Sequence, residues 1–238
     1  TSAVAEATNA DTLDGLHASS FVQGETVVVV DDEFDTGALG SVNWTSSTTG
    51  GGSVGFGEAG VVILDTGNVG AGSATVVGNQ QFALSSGALV FRARVSSYND
   101  GSVWGDFQPR GLVSGTDRNN AIEFISASPS SVSCRTVSGG TATATTVGIG
   151  HNVVDKWTVY QIVASASTVR FYVDGNLIAT HSTNIPTAAL NLFFKTDNLG
   201  SGGLPVRVNH ASLERRFCSG DRRSNDVFSK IRCRFRYT

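Results

Sequence analysis

Apolar and polar residues alternate with a period of two in run after run along this chain, the spacing of strands with one buried face. The clearest run covers residues 88–95, where Leu89, Phe91, Ala93 and Val95 fall on one face and Arg92 and Arg94 on the other. Residues 157–164, 168–173 and 177–181 make three more runs, rich in the β-branched and aromatic residues that suit a pleated sheet. Asp174-Gly175 between the last two predicts a tight hairpin turn, because glycine reaches positive φ without a Cβ clash. These three runs therefore predict an antiparallel meander. Shorter runs predict strands over 25–30, 61–64, 74–77, 81–84, 111–114, 120–126, 134–137, 141–147, 189–195 and 205–213, with a strand–loop–strand unit over 44–60. Asp65-Thr66-Gly67-Asn68 and Gly139-Gly140 read as turns. No stretch reads as an amphipathic helix of ordinary length. About 12 to 14 strands in all predict an all-β chain of two packed sheets with jelly-roll connections.

Composition agrees with that reading. The chain has 238 residues, enough for one β domain with a sizeable core and short appendages. Hydrophobic residues make up 40% and charged residues 16%, the balance of a folded chain and not of a disordered one. Glycine is abundant at 28 residues against 4 prolines, which suits many short strands joined by tight turns. No apolar run approaches the ~20 residues that a helix needs to cross a bilayer. Three cysteines, Cys134, Cys218 and Cys233, are a poor disulfide framework. Either Cys218 and Cys233 bridge locally or all three are free thiols, and no spacing among them suits zinc.

Charge is divided unevenly. Residues 1–214 carry 9 Lys and Arg against 18 Asp and Glu, a balance of −9, whereas residues 215–238 carry 8 against 2, a balance of +6. In the basic tail Arg232, Arg234 and Arg236 would share one strand face, with Phe235 and Tyr237 on the other. A nucleic-acid patch and a solvated tail are two readings of it. A strand added to an acidic neighbouring subunit fits the charge division better, and the regular alternation argues against a solvated tail.

Two stretches resemble known families. The meander carries Trp157, Tyr160 and Ile162, followed by Val169 and then Phe171-Tyr172-Val173-Asp174-Gly175-Asn176, with Ile178-Ala179-Thr180 behind. This resembles the later strands of concanavalin A-like sandwiches, the fold of laminin G-like domains, legume lectins and laminarinase-type glucanases. The resemblance implies fold and leaves function open. Residues 9–21, with Asn9-Ala10-Asp11-Thr12-Leu13-Asp14-Gly15 followed by Leu16, Ala18, Ser19 and Phe21, resemble a short segment of bacteriophage tail fibres and virion adhesins. That resemblance implies an attachment element, and its apolar positions Leu13, Leu16 and Phe21 would pack on a neighbouring chain or on the sandwich. Three units are expected: a connector over 1–30, a sandwich over 31–214 and a basic assembly tail over 215–238.

The most site-like loop covers residues 96–110. It offers Tyr98, Trp104 and Phe107 for stacking on sugar C–H surfaces, and Asn99, Asp100, Asp106 and Arg110 for sugar hydroxyls. The alternative is that Trp104 and Phe107 pack in the core. The acidic run Asp31, Asp32, Glu33 and Asp35 could suit calcium, but it also reads as the opening of the first sandwich strand, and no metal or other cofactor is expected. Laminarinase-type relatives carry two catalytic carboxylates on one strand, E-x-D-x-E. The corresponding stretch here is 119–125, in which only Glu123 is acidic and the nucleophile position falls on Asn119 or Arg118. The chain is therefore expected not to be an enzyme.

The expectation is a phage virion surface protein that binds host-surface glycans and self-associates, a trimer being favoured by the fibre-like connector. Arg232, Arg234, Phe235, Arg236 and Tyr237 would act with the N-terminal segment in assembly, among other virion proteins, with neither nucleic acid nor membrane as partner. A carbohydrate-binding module of a secreted or cell-surface bacterial protein is the alternative, and a degenerate glucanase-like glycoside hydrolase the second.

Overall fold

The computed structural model describes residues 12–13, 16–17, 26–35, 37–39, 43–57, 60–67, 72–97, 110–114, 118–128, 130–150, 156–197 and 205–216. Two short strands come first, β1 (Thr12–Leu13) and β2 (Leu16–His17). They pair with each other, Thr12 opposite His17. The sandwich strands are β3 (Thr26–Asp32), β4 (Trp44–Thr49), β5 (Ser53–Phe56), β6 (Val62–Asp65), β7 (Ser73–Gly78), β8 (Ala88–Ser97), β9 (Arg110–Val113) and β10 (Ala121–Ser128). They continue with β11 (Ser131–Ser138), β12 (Thr141–Gly148), β13 (Thr158–Ala164), β14 (Val169–Val173), β15 (Asn176–His181), β16 (Asn191–Asp197) and β17 (Val206–Arg216).

Two antiparallel sheets result. One has seven strands in the order β12-β11-β10-β9-β16-β7-β4. The other has eight, β15-β14-β13-β8-β17-β6-β5 with β3 added on β17. β8 shows why they pack. Leu89, Phe91, Ala93 and Val95 are buried while Arg92 and Arg94 are exposed, as the alternation predicts. Aromatic rings bridge the sheets: Phe124 of β10 meets Tyr160 of β13 at 5.1 Å and Phe171 of β14 at 5.3 Å, both edge-on. Offset and edge contacts of this kind add to the gain from burying the rings.

The meander over β13–β15 forms as expected. Asp174 and Gly175 both have positive φ, 47° and 81°, the combination that a two-residue hairpin of this twist requires. Asp174 Oδ1 also accepts the Val159 N–H at 2.8 Å, which ties the turn back onto β13.

Three features differ from the sequence expectations. Residues 81–84 do not form a strand; Phe82 makes a single bridge to Leu190, and a 3-10 turn follows at Leu84–Ser86. β17 runs past residue 213 to Arg216, so the first two arginines of the basic tail belong to the sheet. β3 begins at Thr26, inside the expected connector, because it pairs with that extension, Thr26 opposite Arg216. The acidic run that begins at the end of β3 has a structural use: Asp32 accepts the Trp44 indole N–H at 2.7 Å and the Phe34 N–H at 2.8 Å.

Candidate functional site

Strand parity sorts β10 into two faces. Ile122 and Phe124 enter the core between the sheets. Ala121, Glu123 and Ile125 therefore lie on the outer face of the seven-stranded sheet, with Asn119 and Ala127 in the same row of positions. Glu123 is the acidic residue of that row, and it is fully buried.

Its carboxylate is held by two arginines. Arg118 donates from Nε to Oε2 at 2.9 Å and from Nη2 to Oε1 at 2.6 Å, a bidentate pair. Arg135, which faces Glu123 across the β10–β11 ladder, brings Nη1 within 3.4 Å of Oε1. Arg118 reaches this position from a backbone with φ 59°, a conformation that side chains other than glycine seldom adopt. The row continues from Glu123 to Gly111 on β9, Phe193 on β16 and Val77 on β7. Phe193 joins Val113, Ala121 and Val137 in a second buried cluster on this face. Further along β16, Lys195 and Asp197 pair at 2.8 Å.

Gly111 makes the row fit. A Cβ there would stand 2.2 Å from the Ile122 carbonyl oxygen, and the backbone has φ 150°. Only glycine lets β9 approach β10 this closely beside Glu123.

Arg110 was expected at the end of a glycan-binding loop. The structure places it on β9 instead, 2% exposed, with its guanidinium between the sheets. Nη2 donates to Ser126 Oγ at 3.2 Å, while Nε and Nη1 have no partner among the described residues. Burial pulls its pKa below the ordinary value and pushes that of Tyr160 up. Tyr98, Asn99, Asp100, Trp104, Asp106 and Phe107 lie outside the described residues, as do Phe21, Arg232, Arg234, Phe235, Arg236 and Tyr237. The backbone of Leu13 and Leu16 is in the β1–β2 pair. Cys134 is a free, buried thiol in the core, and burial pushes its pKa up to about 12. Cys218 and Cys233 are outside the described residues.

The sequence reading missed two features. It named Glu123 and Arg118 only as positions where a catalytic carboxylate pair is incomplete, and it did not see Arg135, which becomes a neighbour only through the β10–β11 register. It also missed a polar seam that joins the sheets at one edge. His181 ends β15 almost fully buried, with Nδ1 3.1 Å from Thr136 Oγ1 and Nε2 2.9 Å from Thr145 Oγ1. Thr136 donates its hydroxyl proton to the Thr183 carbonyl at 2.9 Å. It can then only accept from His181, so Nδ1 carries a proton, and burial, which lowers the pKa of the ring, favours the neutral form with Nε2 accepting from Thr145. Thr143, Thr183 and Asn184 extend the seam, with Thr143 Oγ1 2.7 Å from Thr183 Oγ1 and 3.0 Å from Asn184 Nδ2.

No family model and no curated protein matches this sequence. Solved structures do match its shape. A Bacillus licheniformis β-glucanase is 15% identical with a TM-score of 0.63, over 77% of this chain and 96% of that one. The carbohydrate recognition domain of Emp47p is 10% identical with a TM-score of 0.60, over 77% of this chain and 93% of that one. The fold is a concanavalin A-like β-sandwich. An endo-β-1,3-glucanase from Pyrococcus furiosus, 12% identical with a TM-score of 0.61, covers 86% of this chain and 97% of that one. These likenesses correct one expectation. The sandwich was expected to belong to a chain that is not an enzyme, yet glycoside hydrolases stand among the structures most similar to it. At these identities the likeness carries the fold, and activity has to be argued from the site.

Proposed function

We propose that this sandwich recognises a polysaccharide on the outer face of its seven-stranded sheet, around β9, β10 and β11. The observation that carries the reading is the Arg118–Glu123–Arg135 group in the middle of that face. Sugars are bound by directional polar groups held rigidly, and paired charges on three neighbouring segments supply them. Arg135 keeps 26% of its side chain exposed and Arg118 18%, so both border solvent while Glu123 fixes their planes. The likeness to structures described as glucanases and as a carbohydrate recognition domain supports the same reading.

Glycoside hydrolysis is the second reading, favoured by Glu123 on the outer face of β10. A retaining mechanism needs a second carboxyl ~5–5.5 Å away, and an inverting one a carboxyl ~6.5–9.5 Å away. Asn119, Ala121, Ile125 and Ala127 do not supply it, so it would come from another segment. The virion setting is a finer proposal. It is supported by the resemblance of residues 9–21 to fibre segments and by the β1–β2 pairing within them, and it would add assembly through the N-terminal segment and the basic tail.

The test is binding by calorimetry to a panel of neutral and acidic polysaccharides, with reducing-end release measured in parallel. Arg135→Ala should abolish binding with little change in melting temperature. Turnover that Glu123→Gln removes would move the assignment to hydrolysis. A chain that neither binds nor cleaves any member of the panel would refute both readings.

A further inference from the structure

The seven-stranded sheet ends on β12, and among the described residues no strand pairs with its outer edge. A sheet edge presents a row of unpaired backbone N–H and C=O groups, which soluble proteins blunt with charges, prolines, bulges or very short strands. The eight-stranded sheet follows the rule: β15 slips register against β14 at Phe171/Tyr172, and β5 has only four residues. β12 does not. It pairs with β11 without a bulge over its whole length, from Ser138↔Thr141 to Ser131↔Gly148. It carries no charge and no proline, and most of its side chains are exposed. Its inward face is anchored, since Thr145 meets His181 and Thr143 meets Thr183 across the seam. The strand is thus held in place, with its outer edge unpaired among the described residues.

We propose that β12 is a self-association edge, pairing antiparallel with β12 of a second copy so that two seven-stranded sheets become one. A second copy fits the chemistry of the strand. Two uncharged edges meet without like-charge repulsion. Residues on one face oppose residues on the same face, so the inward threonines Thr143 and Thr145 come together, a favourable cross-strand pairing. On the outer face the small residues Ala142, Ala144 and Thr146 do not obstruct close approach. A two-fold axis midway between the two β12 strands closes the assembly after two copies. The opposite edge, β4, is also uncharged, but pairing β12 with β4 would run head to tail and leave both ends open.

The experiment is sedimentation of the 238-residue chain over a range of concentrations, alone and with two double variants. Ala142 and Thr146 are exposed, so Ala142→Lys with Thr146→Lys, and Ala142→Glu with Thr146→Glu, should leave the circular dichroism spectrum and melting unchanged. The unmodified chain is expected to form dimers. Each variant alone should dissociate at least about tenfold more readily, because like charges then face each other across the new ladder. An equimolar mixture of the two should dimerise again. A chain that stays monomeric, a dimer indifferent to both variants, open-ended growth, or a mixture that does not recover would each overturn the proposal. Assembly through the basic tail predicts an oligomer, of two copies or three, that is indifferent to both variants, and that outcome too would overturn the proposal.

Discussion

Arg110 lays its guanidinium carbon 3.9 Å from the centre of the Tyr160 ring, so that a charge from one sheet is capped by an aromatic face from the other. A desolvated contact of this kind contributes about 2 kcal/mol. It offsets only part of the cost of burying a cation whose Nε and Nη1 have no partner among the described residues.

Substitution at Arg110 should therefore depend on charge more than on volume. Arg110→Met keeps the length and removes the desolvated charge, and the melting temperature should stay level or rise. Arg110→Lys keeps a charge but loses the planar stacking surface, and about 1–3 kcal/mol of stability should go with it. Urea titrations of the two variants separate the cases. Equal losses in both would mean that the guanidinium itself is required.

The neutral His181 makes stability depend on pH. Burial lowers its pKa in the folded chain below the ordinary histidine value of 6.5. The unfolded chain therefore binds a proton first as the solution is acidified, and stability rises with pH across that interval. The seam's contribution should be complete above about pH 6.5 and decline as pH falls from there toward the lower folded value. His181→Gln should flatten that part of the profile. Thermal midpoints between pH 5 and 8 give the measurement, and an unchanged slope in the variant would assign the dependence to other groups.

Two glycines with positive φ should respond differently to the same substitution. At Gly175 a Cβ meets nothing within 4 Å, so Gly175→Ala should cost only the backbone term, about 1–2 kcal/mol. At Gly111 the Cβ would collide with the Ile122 carbonyl, and Gly111→Ala should cost clearly more, on the order of 3 kcal/mol. Chemical denaturation of both variants checks the order. Comparable losses would mean that β9 can shift away from β10, and the spacing beside Glu123 would then not be fixed by glycine.

Much of the fold is legible in the sequence because strand formation is a local matter. Period-two alternation marked β8, β10 and the β13–β15 meander, and Asp174-Gly175 marked its turn, since burial of one face and positive φ are both written into neighbouring residues. Residues 81–84 misled for the same local reason. Their apolar residues suit a strand, but only Phe82 finds a bridging partner. The short runs gave no sheet order, so neither the pairing of β3 with β17 nor the place of β12 at the end of its sheet could be read.

The site divides along the same line. Glu123 came into view only through the resemblance to a glucanase strand, as the lone acid of residues 119–125. Its ion pairs did not, because Arg135 meets it only through register and Arg118 only through an unusual backbone turn. Arg110 shows the limit most clearly. At the end of a polar, aromatic loop an arginine reads as exposed, yet strand parity on β9, opposite to that of Gly111, carries it between the sheets. Sequence by itself determined which segments pleat and where the chain reverses, because those depend on residues a few positions apart. Which strands become neighbours, which charges meet and which strand ends its sheet were decided by the packing of two sheets, which joins residues far apart in the chain.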